Sequence, residues 1–245
     1  LRFQGTKKAF GRDILLYLLA WGFVAFGYVG IQGVLFNLYL LRLGYDTAFI
    51  GLLIGTGQLA WAVFALPAGA IGARIGLRNA LVAAHLTVTL GISLLLCGEL
   101  LPASMQVPWL FVWWTVLWLG ASMNTVNSIP YLMAIAAPEQ RNAAFSAQQA
   151  VMALAGLAGA IVAGFLPQTL ATFLGSDPAA PLTYRLALCV APVAYVGAAA
   201  CFLASHNVQF IRKAESDVER GRAPVGLIAF FGLIVLLQSA SEGST

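Results

Sequence analysis

Charge is what this sequence has least of. Only 9% of its 245 residues are Asp, Glu, Lys or Arg, against about 25% in a soluble domain, whose surface must face water. With 60% hydrophobic residues and a mean hydropathy of +0.87, a chain of this length cannot cover itself with polar groups and stay dissolved. No pair of acids, no histidine cluster and no nucleophile–base arrangement gathers at one membrane face, so a membrane enzyme fails on inventory. The three cysteines, Cys97, Cys189 and Cys201, are odd in number and lack C-x-x-C spacing. They argue against a disulfide frame or a zinc site and read as small packing residues. Nothing in the chain calls for a cofactor or a metal. The net charge of +4 does not point to nucleic acid, because the basic residues sit in short connectors between apolar runs, where they act as topology charges.

What is present is a series of long apolar runs. Leu1 to Gly5 lack an initiator Met and resemble the scar of a cleavable tag, so they are set aside. The first apolar run has no small-residue cleavage site after a short core and reads as a span rather than a signal peptide. A helix needs about 20 apolar residues to cross the hydrocarbon. Six such runs follow: Ile14 to Leu41, Ala48 to Ala73, Ala80 to Leu101, Pro108 to Ile135, Ala144 to Ala171 and Tyr184 to Ser205. They are too long, and too little alternating, for barrel strands. A seventh run begins near Val225. The expected fold is therefore an all-α integral membrane bundle of six transmembrane helices (residues 6–206), a linker (207–224) and a partial seventh helix (225–245).

The connectors alternate in charge. One set holds the N-terminal segment, Arg74, Arg78, Arg141 and the basic residues of the 207–224 linker, eleven of the thirteen basic residues; the other holds only Arg42 and Arg185. Positive charge stays on the cytoplasmic side, so the N-terminus and the linker are expected in the cytoplasm of a multi-pass protein of the cell (inner) membrane. The linker is either a surface amphipathic helix, with Val208, Phe210 and Ile211 ahead of its charges, or a plain solvated connector. Arg222 placed under Arg12 sets Glu242 under Gln32 and Gly243 under Gly33, the echo a duplicated transporter shows as its second half begins.

The connector after the second span runs from Leu66 to Asn79, with Gly69, Arg74, Gly76 and Arg78 in it. It resembles the loop 2–3 signature of the major facilitator superfamily: Gly, three residues, Asp, Arg, any residue, Gly, then a basic pair. Ala73 stands where the signature has Asp, and Leu77 where it has one base. Gly69 would allow close helix approach, Gly76 a tight turn, and the two arginines would anchor the cytoplasmic face. In the family these charges help hold two halves together, and the missing Asp puts that latch in doubt. Pro138 to Ser146, with Glu139 and Arg141, resembles the family's loop 4–5. The Gly-Pro signature of proton-driven drug exporters in span five is missing. The resemblance implies half of a twelve-helix fold and alternating access by rocking two bundles.

It also implies that spans one, four and seven line the substrate cavity. Polar groups in hydrocarbon are costly and face a cavity or another helix. Trp113, Gly120, Asn124, Asn127 and Tyr131 share one stripe of span four; Trp21, Tyr28, Gln32 and Tyr39 share one of span one. Candidate cavity residues are thus Tyr28, Gln32, Asn124, Asn127, Tyr131, Gln149 and Glu242. Asn124 and Asn127 are alternatively hydrogen-bond partners between helices. Of Gln148 and Gln149, at the inner mouth of span five, one is expected to face the cavity. Span six has almost no polar centre and reads as scaffold, and Trp109, Trp113 and Trp114 read as an interfacial belt. Glu99 reads as structural at the outer end of span three, and His85 as a packed or hydrogen-bonded histidine. Glu242 either binds a proton or cationic group, its acidity weakened by desolvation, or marks where the seventh helix leaves the membrane.

The expected partners are a small-molecule substrate, the lipid bilayer and a missing C-terminal half or partner chain. Neutral polar or amphipathic solutes suit stripes with no fixed positive charge. The competing readings are a non-transporting membrane scaffold or receptor-like bundle, and a half-transporter that needs a partner.

Overall fold

A computed structural model of the chain describes residues 10–207. The linker after Asn207, the seventh run and Glu242 lie outside the described residues. Six long helices fill what is described. α1 spans Arg12–Arg42, α2 Thr47–Ile75, α3 Leu77–Leu96, α4 Ala103–Ile135, α5 Arg141–Leu174 and α6 Pro181–Ala204. No strand occurs among the described residues. In a bilayer this is forced: with no water in the core, each span must satisfy its own backbone groups.

Local sequence sets the ends. Asp46 caps α2, its carboxylate accepting the Phe49 N–H at 2.8 Å. Gly76 ends α2 and starts α3 at φ +88°, a left-handed backbone that explains the glycine between Ile75 and Leu77. α6 is interrupted at Cys189 between its segments Pro181–Leu188 and Val190–Ala204. Prolines 67, 108, 130 and 167 stand inside helices, as packed membrane helices permit.

Five of the helices are long and apolar enough to cross a membrane. α4 is not among them, although its 33 residues extend about 50 Å at 1.5 Å each. Its four tryptophans and two asparagines lower its apolar character, and four of the six, Trp114, Trp118, Asn124 and Asn127, are buried. Neighbours are tight where side chains are small, as expected when van der Waals contact rather than water drives association. α3 and α4 make the most extensive contact, and α5 packs along α1 while α2 packs along α4. α1 and α4 barely touch each other.

The packed interior forms two main clusters. One, around Tyr17, Leu81, Tyr131 and Phe202, lies at the end of the bundle where α1 begins, here termed the basic end. The other, around Phe36, Leu53, Ile92 and Trp114, lies toward the opposite end. The residues between them along α1, α3 and α4 are where the site is found.

Candidate functional site

Between the two clusters, in the gap that α1 and α4 leave, lies a cavity of about 400 Å³. All six helices contribute to its wall. α1 presents Trp21, Tyr28 and small apolar residues; α4 presents Leu117, Trp118, Ala121, Asn124 and Thr125. α2 adds Gln58 and Trp61, α3 His85 and Val88, α5 Met152 and α6 Tyr195. Among the described residues of that wall there is no carboxylate, lysine or arginine.

The backbone of α1 is adapted to the site. From Phe26 to Gln32 it widens into a π-helical stretch, and the Gly33 N–H reaches back to the Tyr28 carbonyl. Such stretches mark functional positions in many helices. Gly30 lies directly against Gly159 of α5, where any Cβ would collide with backbone. Two hydrogen side chains thus bring α1 and α5 into main-chain contact and set one side of the cavity. On the other side a Cβ on Gly120 of α4 would stand 2.8 Å from the Ala84 carbonyl oxygen of α3.

The polar stripes divide when placed in three dimensions. Tyr28 and Asn124 line the cavity, Tyr28 meeting Trp118 edge-on at 6.1 Å. Gln32 is buried and accepts the Tyr195 hydroxyl at 3.0 Å, one residue behind the wall. Asn127 is taken up between helices. Its Nδ2 donates to the Ala68 carbonyl of α2 at 3.1 Å and to Met123 at 2.8 Å, and its Oδ1 presses on Gly72. Tyr131 is fully buried at the basic end and donates to Ser205 Oγ at 2.7 Å. Of the two glutamines, Gln148 is the buried one, accepting the Tyr17 hydroxyl at 2.9 Å, while Gln149 is exposed. Gln32, Asn127, Tyr131 and Gln149 are therefore not in the cavity wall. Spacing fixes the face of a helix but not the depth at which a neighbour intercepts it.

Other expectations are also adjusted. Trp114 is no belt residue: it is 3% exposed and stacks on Phe36 at 4.4 Å and 2°. Trp109 donates to the Leu94 carbonyl at 2.6 Å. Gly69 meets only Val126 at 3.5 Å, an ordinary contact, and the close approach falls one turn later at Gly72. Gly76 makes the turn as expected. α6 is not mere scaffold, because Tyr195, the one hydroxyl in its apolar middle, reaches Gln32 and the cavity. Cys201 is buried packing, but Cys97 and Cys189 are exposed. Sequence reasoning passed over Gln58, Trp61 and Tyr195; an isolated polar tip in an otherwise apolar span is the signal that finds the last.

Charged residues gather at the two ends. At the basic end Arg78 donates to the Ser205 carbonyl at 3.2 Å and Arg12 to Ala204 at 3.1 Å. Asp13 accepts the His206 backbone N–H at 3.1 Å and faces its ring nitrogen at 3.0 Å. Arg141 donates to the Met133 carbonyl at 3.0 Å, a base placed on a helix C-terminus, while Arg74 and Glu139 are exposed. At the opposite end Arg185 of α6 pairs with Glu99 after α3 at 3.3 Å, and the Tyr39 hydroxyl donates to the same carboxylate at 3.4 Å. Among the described residues no three His, Cys, Asp or Glu side chains come together as a metal site.

A helical bundle with charge at both ends and an uncharged, aromatic-walled cavity at mid-height defines a polytopic membrane protein of the transporter class. The sequence profile of the Major Facilitator Superfamily matches residues 14–240, and the chain belongs to that family. No curated protein matches it. It is thus an integral, multi-pass membrane protein of a family of transporters.

Proposed function

We propose that the chain forms the N-terminal half of a secondary active transporter that moves a small neutral polar or amphipathic solute by alternating access. The mid-height cavity carries this reading. A rocking-bundle transporter needs a solute site near the bilayer midplane, and the wall of this cavity holds polar groups with no structural duty. The charge asymmetry of the connectors supports a cytoplasmic basic end in a cell membrane.

A second six-helix unit is the partner in this account. Burial supports it: the most apolar window of α2 is only 17% buried and that of α5 22%, against 50% for α3 and α6. α2 and α5 flank α4 and α1, so their exposed rows, including Leu59, Val63, Leu157 and Ile161, border the cavity gap or meet lipid. Proton coupling through Glu242 is the part that rests on sequence alone. In this reading Glu242→Gln abolishes pH-dependent uptake and leaves counterflow in place; an unchanged pH dependence removes the coupling claim.

The test of transport is counterflow in proteoliposomes holding the intact protein, with a labelled nucleoside, hexose and aromatic amide as probes. Accelerated exchange of any one supports the reading. No exchange, from protein shown to be folded, favours a scaffold or receptor-like bundle.

A further inference from the structure

Among the described residues of the cavity wall, His85 and Asn124 carry the two buried acceptor atoms that meet no donor. The His85 ring is buried, 2% exposed, and packs on Phe202 at 5.3 Å. Its Nδ1 lies 2.7 Å from the Leu81 carbonyl oxygen, so that nitrogen holds the proton and donates it. In the neutral ring this leaves Nε2 with a lone pair, buried and without a partner. Asn124 is 8% exposed, and its Oδ1 is likewise buried with no donor. Both side chains line the cavity.

They also stand on neighbouring helices in close contact. α3 and α4 touch backbone to backbone where Gly120 meets Ala84; His85 follows Ala84, and Asn124 is one turn beyond Gly120. The unpartnered indole nitrogens of Trp114 and Trp118 differ, because both lie against Gly57 of α2, turned toward helix backbone. A buried acceptor without a donor is destabilising. Two of them at one place in a cavity call for a donor that arrives from outside the chain.

We propose that the α3–α4 wall is a hydrogen-bond-accepting subsite, built from His85 Nε2 and Asn124 Oδ1, for the O–H or N–H group of a neutral aromatic ligand. A neutral group suits this wall, whose described residues include no carboxylate, lysine or arginine. Aromatic character follows from Trp21, Tyr28 and Trp118, which present flat apolar surface around it. The volume is in the range of small-molecule sites. The proposal rests on the transport reading only in taking the cavity as the place where a ligand sits.

Binding, measured without transport, separates the two. The probes are 2-naphthol and its methyl ether, 2-methoxynaphthalene, which keeps the rings and loses the donor. Affinities for the purified full chain in detergent, corrected for partition into empty micelles, are expected to favour 2-naphthol by about tenfold. His85→Phe and Asn124→Leu are each expected to bring that ratio down toward one. His85→Gln, whose amide oxygen can reach the Nε2 position, retains most of it and serves if the Phe variant does not fold. Equal binding of the two probes by the unaltered chain, no binding of 2-naphthol, or a ratio unchanged in folded His85→Phe overturns the proposal. Donor-dependent binding without counterflow of any solute leaves the subsite standing and counts against transport.

Discussion

The basic end and the cavity hold similar polar residues with opposite accounts. At the basic end tyrosine, glutamine, serine and aspartate side chains find one another: Tyr17 with Gln148, Tyr131 with Ser205, Asp13 with His206. In the adjoining cavity wall, His85 Nε2 and Asn124 Oδ1 find no partner among the described residues. Asn124 and Asn127, one turn apart on one helix, fall on the two sides of this divide. The amide of Asn127 bridges α4 to α2, while the carbonyl oxygen of Asn124 is buried without a donor. A polar side chain in a membrane bundle holds helices when its partner is built in, and serves a ligand when the partner is missing.

Substitutions can break or sharpen this contrast. The largest effect is expected at Gly30, whose contact with Gly159 sets one side of the cavity. Gly30→Leu must push apart two backbones, so a cost at or above the roughly 3 kcal/mol end of core overpacking is expected, seen as loss of monodisperse protein in detergent. Next is Gln148→Leu, which strands the buried Tyr17 hydroxyl. A loss of about 1–3 kcal/mol is expected, read as a lowered midpoint in thermal unfolding, and the double variant with Tyr17→Phe recovers part of it. Asn127→Leu removes one interhelical bond and should cost about 0.6 kcal/mol, the usual size for such bonds in membrane proteins. Smallest is Asn124→Leu: with no protein partner to lose, stability in the absence of ligand should stay within about 0.5 kcal/mol of the parent or rise. A marked destabilisation there would mean that Asn124 is structural.

Much of the fold was legible in the sequence because bilayer thickness is a strong constraint. The expected start of α1 at Ile14 lies two residues inside Arg12, and the expected α2 end at Ala73 two residues before Ile75. The bounds moved further at α4, which starts at Ala103 rather than Pro108, and at α3, which ends at Leu96 rather than Leu101. The site was legible in part. Periodicity put Tyr28 and Asn124 on the right faces, but it treated Asn124, Asn127 and Tyr131 as one surface. Which of them meets a carbonyl, a serine or no partner depends on how far α2 and α6 reach, and that is set by Gly72 and Ser205 on other elements. His85 was read as a packed histidine, and half of it is: Nδ1 is satisfied within its own helix. Only the third dimension shows that the other nitrogen, on a residue of the cavity wall, is buried without a partner.

The divide between neighbouring asparagines is tested most directly by thiol accessibility. In a chain with Cys97, Cys189 and Cys201 changed to alanine, Asn124→Cys and Asn127→Cys are placed singly and reconstituted in liposomes. A small, membrane-impermeant methanethiosulfonate reagent is then applied, and the modified fraction is followed by mass. Modification at position 124 and protection at position 127 is the predicted result. Equal protection at both, or faster reaction at 127, would contradict the assignment of the cavity as the solvent-reached, ligand-serving part of the bundle.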